Sequence, residues 1–93
     1  MTLLHVTTQA GWAQLIRDGA WPAAPFWHLC TAEQLPFVLA RHFAGQSGLV
    51  VLHLDSAQLG DVRWEASESG MDPFPHLYAP LPATAVMSLV LTP

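Results

Sequence analysis

The sequence predicts an α+β domain, a small mixed β-sheet carrying two helices. The prediction rests on two helix signatures interleaved with short extended runs, and on one almost wholly apolar run over residues 49–54. Residues 1–6 read as a strand, with Leu4 and Val6 on one face and Leu3, His5 and Thr7 on the other. Thr8 is a good N-cap for a first helix, in which Trp12, Leu15 and Ile16 share a face and Gly19 supplies the stop. Residues 21–25 are proline-broken loop, and residues 26–30 form a second strand.

Thr31 and Gln34 make a capping box for a second helix running towards Phe43, with Pro36 disturbing its start. Gly45-Gln46-Ser47-Gly48 is a turn. The apolar run at 49–54 then has the character of a central strand covered on both faces. Residues 55–60 connect, with room for one helical turn. Residues 62–66 are extended, 67–73 are polar loop, and 86–91 form the last strand. No repeat or linker divides the chain, so residues 1–93 make a single domain.

Composition excludes several functions. Of the 93 residues, 52% are hydrophobic, and three arginines with no lysine face seven acidic residues, for a net charge of -4. Nucleic acid needs a basic footprint to neutralise phosphates, and this chain has none. Anionic membranes find nothing to attract them either. Sparse charge on a small domain leaves apolar surface uncovered, which points to self-association. A single cysteine forbids an internal disulfide and suits a cytoplasmic protein. The N-terminus has no basic region ahead of an apolar run, so no signal peptide is expected.

The chemistry gathers in two stretches. Arg63-Trp64-Glu65 alternates, so Arg63 and Glu65 share a face and Trp64 points to the other, where it is expected to be buried. Phe74-Pro75-His76-Leu77-Tyr78-Ala79-Pro80-Leu81-Pro82 holds a histidine and a tyrosine between three prolines that stiffen the backbone. Each residue also has a structural reading. Arg63 and Glu65 could be an exposed ion pair of little energetic weight. His76 and Tyr78 could satisfy buried backbone groups in a turn, and His5 could be a core histidine with one hydrogen bond.

Functionally, Glu65 in an aromatic cleft is a usable general base or cation stabiliser. His28 stands beside the anion-friendly Thr31 cap. Cys30 is read as a small buried hydrophobe rather than a reactive thiolate. His42 and His53 earn no site assignment. No close His or Cys ligand spacing marks a metal site.

Together these motifs resemble the bacterial and plant domain-of-unknown-function 952 family. The opening strand ending in His5, Trp12, the Phe26-Trp27-His28-Leu29-Cys30-Thr31 strand, Ala32-Glu33-Gln34, Arg41-His42-Phe43, Arg63-Trp64-Glu65 and the proline-rich segment carry the likeness. The resemblance implies a compact ADP-ribosyltransferase-like core. In that superfamily a first-strand histidine helps hold a nicotinamide dinucleotide, an aromatic stacks on the nicotinamide, and a glutamate stabilises the ribosyl cation. His5 takes the first role by position; Tyr78 and Glu65 take the others by residue type.

The expected site is thus a cleft of His28, Glu65 and His76 as catalytic groups, with His5, Thr31, Arg63 and Tyr78 binding the ligand. That ligand is expected to be nucleotide-like or another anionic small molecule, with an NAD-like nucleotide implied by the resemblance alone. The alternatives are a non-catalytic module binding a metabolite or peptide, and a structural dimerisation domain.

Overall fold

The computed structural model describes residues 1–66 and 72–93, so most of the polar loop expected at 67–73 lies outside the described residues. In chain order the elements are β1 (Thr2–Thr7), α1 (Gln9–Asp18), β2 (Ala20–Trp21), β3 (Trp27–His28) and α2 (Leu35–His42). Then come β4 (Val50–Asp55), β5 (Val62–Glu65), β6 (Phe74–Leu77), β7 (Leu81–Pro82) and β8 (Val86–Leu91). Short 3₁₀ turns at Ser56–Gln58 and Ala83–Ala85 precede β5 and β8. Two helices in an α+β arrangement are present as expected. The single mixed sheet is not: the strands form three sheets, ordered β1-β4-β8, β2-β7 and β3-β6-β5, and every pairing among them is antiparallel.

β4 is central because both of its faces are apolar. Val50, Leu52 and Leu54 join Leu3, Leu15, Trp21, Leu77 and Leu81 in one core. Val51 joins Leu4, Val6, Cys30, Leu49 and Phe74 in a second core on the opposite face. α1 contributes Leu15 and Trp12 to the first core, whereas α2 lays Leu35, Phe37, Val38 and Leu39 on the second. The helices therefore flank the β1-β4-β8 sheet from opposite sides.

The caps follow the local sequence. The Thr8 hydroxyl accepts from the Gly11 N–H at 2.9 Å, and Gly19 at φ 81° donates its N–H to Leu15 O. Glycine adopts that left-handed conformation without the Cβ clash other residues suffer. Ile16, expected on the buried face, is 56% exposed, because α1 meets the sheet along the Trp12–Leu15 line instead. At the second helix Thr31 and Gln34 exchange bonds, Gln34 Oε1 accepting from Thr31 N–H and Thr31 Oγ1 from Gln34 N–H. This box forms a turn ahead of α2, which leaves Pro36 in the first turn of the regular helix, where its missing N–H breaks no intrahelical bond.

The main departure from expectation is β6. Residues 74–77, read as a stiff loop, are the middle strand of the third sheet, pairing with β5 through Arg63↔His76 and Trp64↔Pro75, and with β3 through His28↔His76. A proline is tolerated here for a geometric reason. Pro75 turns its carbonyl towards Leu29, accepting that N–H at 3.0 Å, so its missing donor falls just past the two-residue β3, where no ladder bond is required.

Trp64 is a second correction. It lies opposite Pro75 as the alternation requires, yet 47% of it is exposed. β5 is an edge strand, and Trp64 belongs to neither core cluster among the described residues. Alternation assigned the face correctly, but that face is not covered at this end of the strand.

Candidate functional site

Most of the candidate side chains collect where two sheets meet. Leu4 and Cys30 exchange backbone hydrogen bonds of 2.7 and 2.9 Å, which joins the edge of β1 to the chain leaving β3. Residues 27–30 thus pair with β6 on one side and β1 on the other. Across this seam His5 Nδ1 meets the His28 carbonyl oxygen at 2.7 Å. His5 and His28 do sit near each other across this seam, but their rings part: His5 shares its face of β1 with Leu3 and stands against Trp21 and Trp27, whereas His28 and His76 meet each other and Phe26.

Beside the seam is a cavity of about 500 Å³, within the range of small-molecule pockets. His5, His28 and His76 line one part of it, and His42 from the end of α2 lines another. The remaining wall is apolar, with Phe37, Val38, Phe43 and Phe74 the largest contributors besides the β1 side chains. Among the described residues no arginine, lysine or carboxylate lines it.

Behind His76 lies a compact polar array. Residues 74, 76 and 78 share a face, and so do 63 and 65 on the adjoining strand, so the alternation of both strands delivers their side chains together. His76 Nδ1 is 2.8 Å from Glu65 Oε1, and the Tyr78 hydroxyl donates to the same oxygen at 2.6 Å. Phe26 stacks on the His76 ring at 4.4 Å and lies 4.9 Å from both Tyr78 and His28. His28 meets His76 edge-on at 5.1 Å. The buried His76 ring is therefore fixed by a bond, a stack and an edge contact.

Electrostatics follow from these contacts. The Tyr78 hydroxyl, and after it His76, hold the Glu65 carboxyl below its usual range, so Glu65 is a carboxylate at neutral pH. The same bond pushes the Tyr78 hydroxyl up. Burial holds His5 below its ordinary value. His28 is lowered as well, first by loss of solvent and then by the neighbouring His76 and His42. Burial drives the Cys30 thiol up to about 11, which agrees with its reading as a buried hydrophobe rather than a thiolate.

The seven residues expected in one cleft divide into three groups. His5, His28 and His76 line the cavity. Glu65 and Tyr78 stand behind His76 and orient it. Arg63 and Thr31 are elsewhere: Arg63 is exposed, bonded to Asp61 Oδ2 through Nε and Nη2, with its guanidinium 4.3 Å over the Tyr78 ring. Its ion pair is with Asp61 rather than Glu65. Thr31 is absent from the lining and uses its hydroxyl and N–H in the capping box.

Two contributors escaped the sequence. Phe26 is two residues before His28 on an extended run, so alternation alone could have placed it beside that histidine. His42 was set aside as a helix-end histidine; only the packing of α2 over the second core brings it to the cavity. Among the described residues no helix is long and apolar enough to cross a membrane.

Comparison with known proteins agrees with this architecture. Protein CC0527 from Caulobacter crescentus, solved by X-ray crystallography, is 33% identical and superimposes with a TM-score of 0.86, covering 97% of this chain and 84% of that one. Its solution NMR structure matches with a TM-score of 0.80 over 96% of this chain and 82% of that one. No curated protein matches. The family described as "Protein of unknown function (DUF952)" matches residues 6–89, nearly the whole chain, including β3 with His28 and the proline-rich segment. With the family model matching nearly the whole chain, the chain belongs to the DUF952 family.

Proposed function

We propose that this domain is a cytoplasmic small-molecule site, in which a ligand's apolar body enters the cavity and its polar group meets the imidazoles. The observation that carries the reading is an apolar-walled space of about 500 Å³ lined by His28 and His76, whose rings meet edge-on at 5.1 Å. A purely structural role for the histidines would have let them pair off with separate backbone groups. His5 does make such a bond, but His76 is held by a carboxylate and a stacked ring at the rim of an open space.

The arrangement supports binding with acid–base capability more than ribosyl transfer. Glu65 accepts the Nδ1 proton of His76, which leaves Nε2 as the ring's second functional nitrogen, the disposition a general base or acid requires. A transferase-like role would instead set the Glu65 carboxylate against a sugar cation. Here Oε1 already accepts two hydrogen bonds, and Glu65 is not part of the cavity lining. A dinucleotide pyrophosphate would meet no arginine or lysine there.

A thermal-shift screen of nucleotides, small organic acids and neutral heteroaromatics tests the proposal. A ligand at a hundred times its dissociation constant adds about 2.7 kcal/mol. Val38→Phe, which narrows the chamber, should remove that gain. Ligands that stabilise Val38→Phe equally well bind elsewhere and refute the site.

The dimerisation alternative has one observation in its favour. β8 is an edge strand with Met87, Val90 and Leu91 more than half exposed, so a second copy could extend the sheet. Sedimentation of the wild type and of Val90→Lys would decide it: a dimer lost in the variant supports pairing through β8, and a wild-type monomer rejects it.

A further inference from the structure

The cavity has an open polar end and a closed apolar one. Of its lining residues His28 and His42 are exposed, whereas Leu4, Val6, Cys30 and Phe74 are buried. The two histidines therefore stand at the mouth, one at the end of β3 and the other at the end of α2. Among the described residues neither ring spends a nitrogen on a hydrogen bond within the chain, unlike His5 and His76, whose Nδ1 atoms are tied. An imidazole carries an N–H donor whether neutral or charged. The mouth thus holds two uncommitted donors above an apolar floor.

Among the described residues, the only charge the lining can acquire is positive. No carboxylate reaches it, and Cys30 stays a neutral thiol because burial pushes it up to about 11. Charge on His28 is opposed by loss of solvent and then by His76 and His42. The surrounding groups do little to relieve that opposition. Glu65 and Tyr78 are bonded to one another and Glu65 to His76, while Arg63, opposite His76 in β5, is paired with Asp61. Arg41 of α2 is outside the lining, and the His5 ring stands against Trp21 and Trp27. The counter-charge that His28 lacks is one a ligand can bring.

Resting on the small-molecule reading above, we propose that the cavity takes a monocarboxylate with an apolar body, held at its head by His28 and His42, and that binding draws a proton from solvent onto His28. The body packs against Phe37, Phe43 and Phe74. A hydrogen bond between charged partners is roughly twice as strong as a neutral one, so the head favours the protonated ring. Proton and ligand then strengthen each other's binding reciprocally. An ammonium would lose its hydration and find no carboxylate in the lining. A second negative charge on the ligand would gain no further cation and would meet the field of Glu65 behind His76.

The test compares phenylacetate, its neutral isostere phenylacetamide and phenethylammonium by chemical-shift titration at about pH 6 and about pH 8, either side of the ordinary imidazole range. The free His28 ring, held below 6.5, is neutral at the higher pH, and the bound anion raises it. Phenylacetate should therefore bind about fivefold tighter or more at the lower pH, while phenylacetamide shows no such change. His28→Gln, which keeps an N–H donor but cannot titrate, should abolish the pH dependence. Calorimetry of phenylacetate binding in two buffers of different ionisation enthalpy should show net proton uptake by the wild type and none by the variant. Phenylacetamide or phenethylammonium binding as tightly as phenylacetate at the lower pH overturns the carboxylate proposal and leaves the cavity a ligand site. So does a pH dependence that survives in His28→Gln. If no probe shifts the Phe74 and Cys30 resonances at millimolar concentration, and the wider screen also finds no ligand, the small-molecule reading falls and takes this one with it.

Discussion

β4 and β6 hold the same position in different sheets, each the middle strand of an antiparallel three, yet only one could be read from the sequence. β4 is apolar on both faces and packs between two cores. β6 gives Leu77 to the core on one face, and on the other it presents His76, backed by Glu65 and covered by Phe26. One central strand thus serves only packing, while the other sets a polar His76 beside Phe74 on one face and packs Leu77 on the other. The prolines around β6, which make the segment look like a loop, sit where the ladder needs no donor from them.

If the two strands are equivalent in stability, equal truncations should cost the same. Leu52 in β4 and Leu77 in β6 are both fully buried in one core. Leu52→Ala and Leu77→Ala should each lose about 2–5 kcal/mol in chemical denaturation. A loss under about 1 kcal/mol at Leu77 alone would break the comparison and return residues 74–77 to the status of a covering loop.

The polar face of the seam should reveal itself through pH. His5 is held below its ordinary value of 6.5 by burial, so the unfolded chain takes up a proton more readily than the folded one. Its contribution to stability is complete above 6.5 and is lost as pH falls from there through the folded value. Melting temperature should therefore drop between about pH 7.5 and pH 5.5, and His5→Gln should flatten that slope. His28 shifts in the same direction and leaves a residual slope in the variant. A slope unchanged by His5→Gln would mean that His5 is as solvated folded as unfolded.

The smallest effect belongs to Trp64. Because about half of it is exposed on an edge strand, Trp64→Ala should cost about 1 kcal/mol or less, well below the loss of a buried tryptophan. A larger loss would show that its indole covers Pro75 more tightly than its exposure indicates.

What the sequence revealed and what it concealed follow one physical division. Local signals were legible: the Thr8 cap, the Gly19 stop, the Thr31–Gln34 box and the short turn after Asp55 all form where their residue types require. Alternation also placed Arg63 with Glu65, and His76 with Tyr78, on shared faces. Long-range pairing was not legible. Nothing local says that Leu4 bonds Cys30, or that α2 carries His42 to the cavity. Coverage was equally hidden, since alternation assigns a face to Trp64 without saying whether anything packs on it.

One cluster near the seam has an optical consequence. His5 stands edge-on to Trp21 at 5.5 Å and to Trp27 at 5.9 Å, and the two indoles are 4.9 Å apart. A protonated imidazole quenches a neighbouring indole's emission, whereas a neutral one does so weakly. The domain therefore carries its own fluorescent indicator, in which emission from this pair tracks the charge state of a cavity-lining histidine. Trp12 and Trp64 contribute a background that Trp64→Phe would reduce, leaving the seam to report its own protonation without an added label.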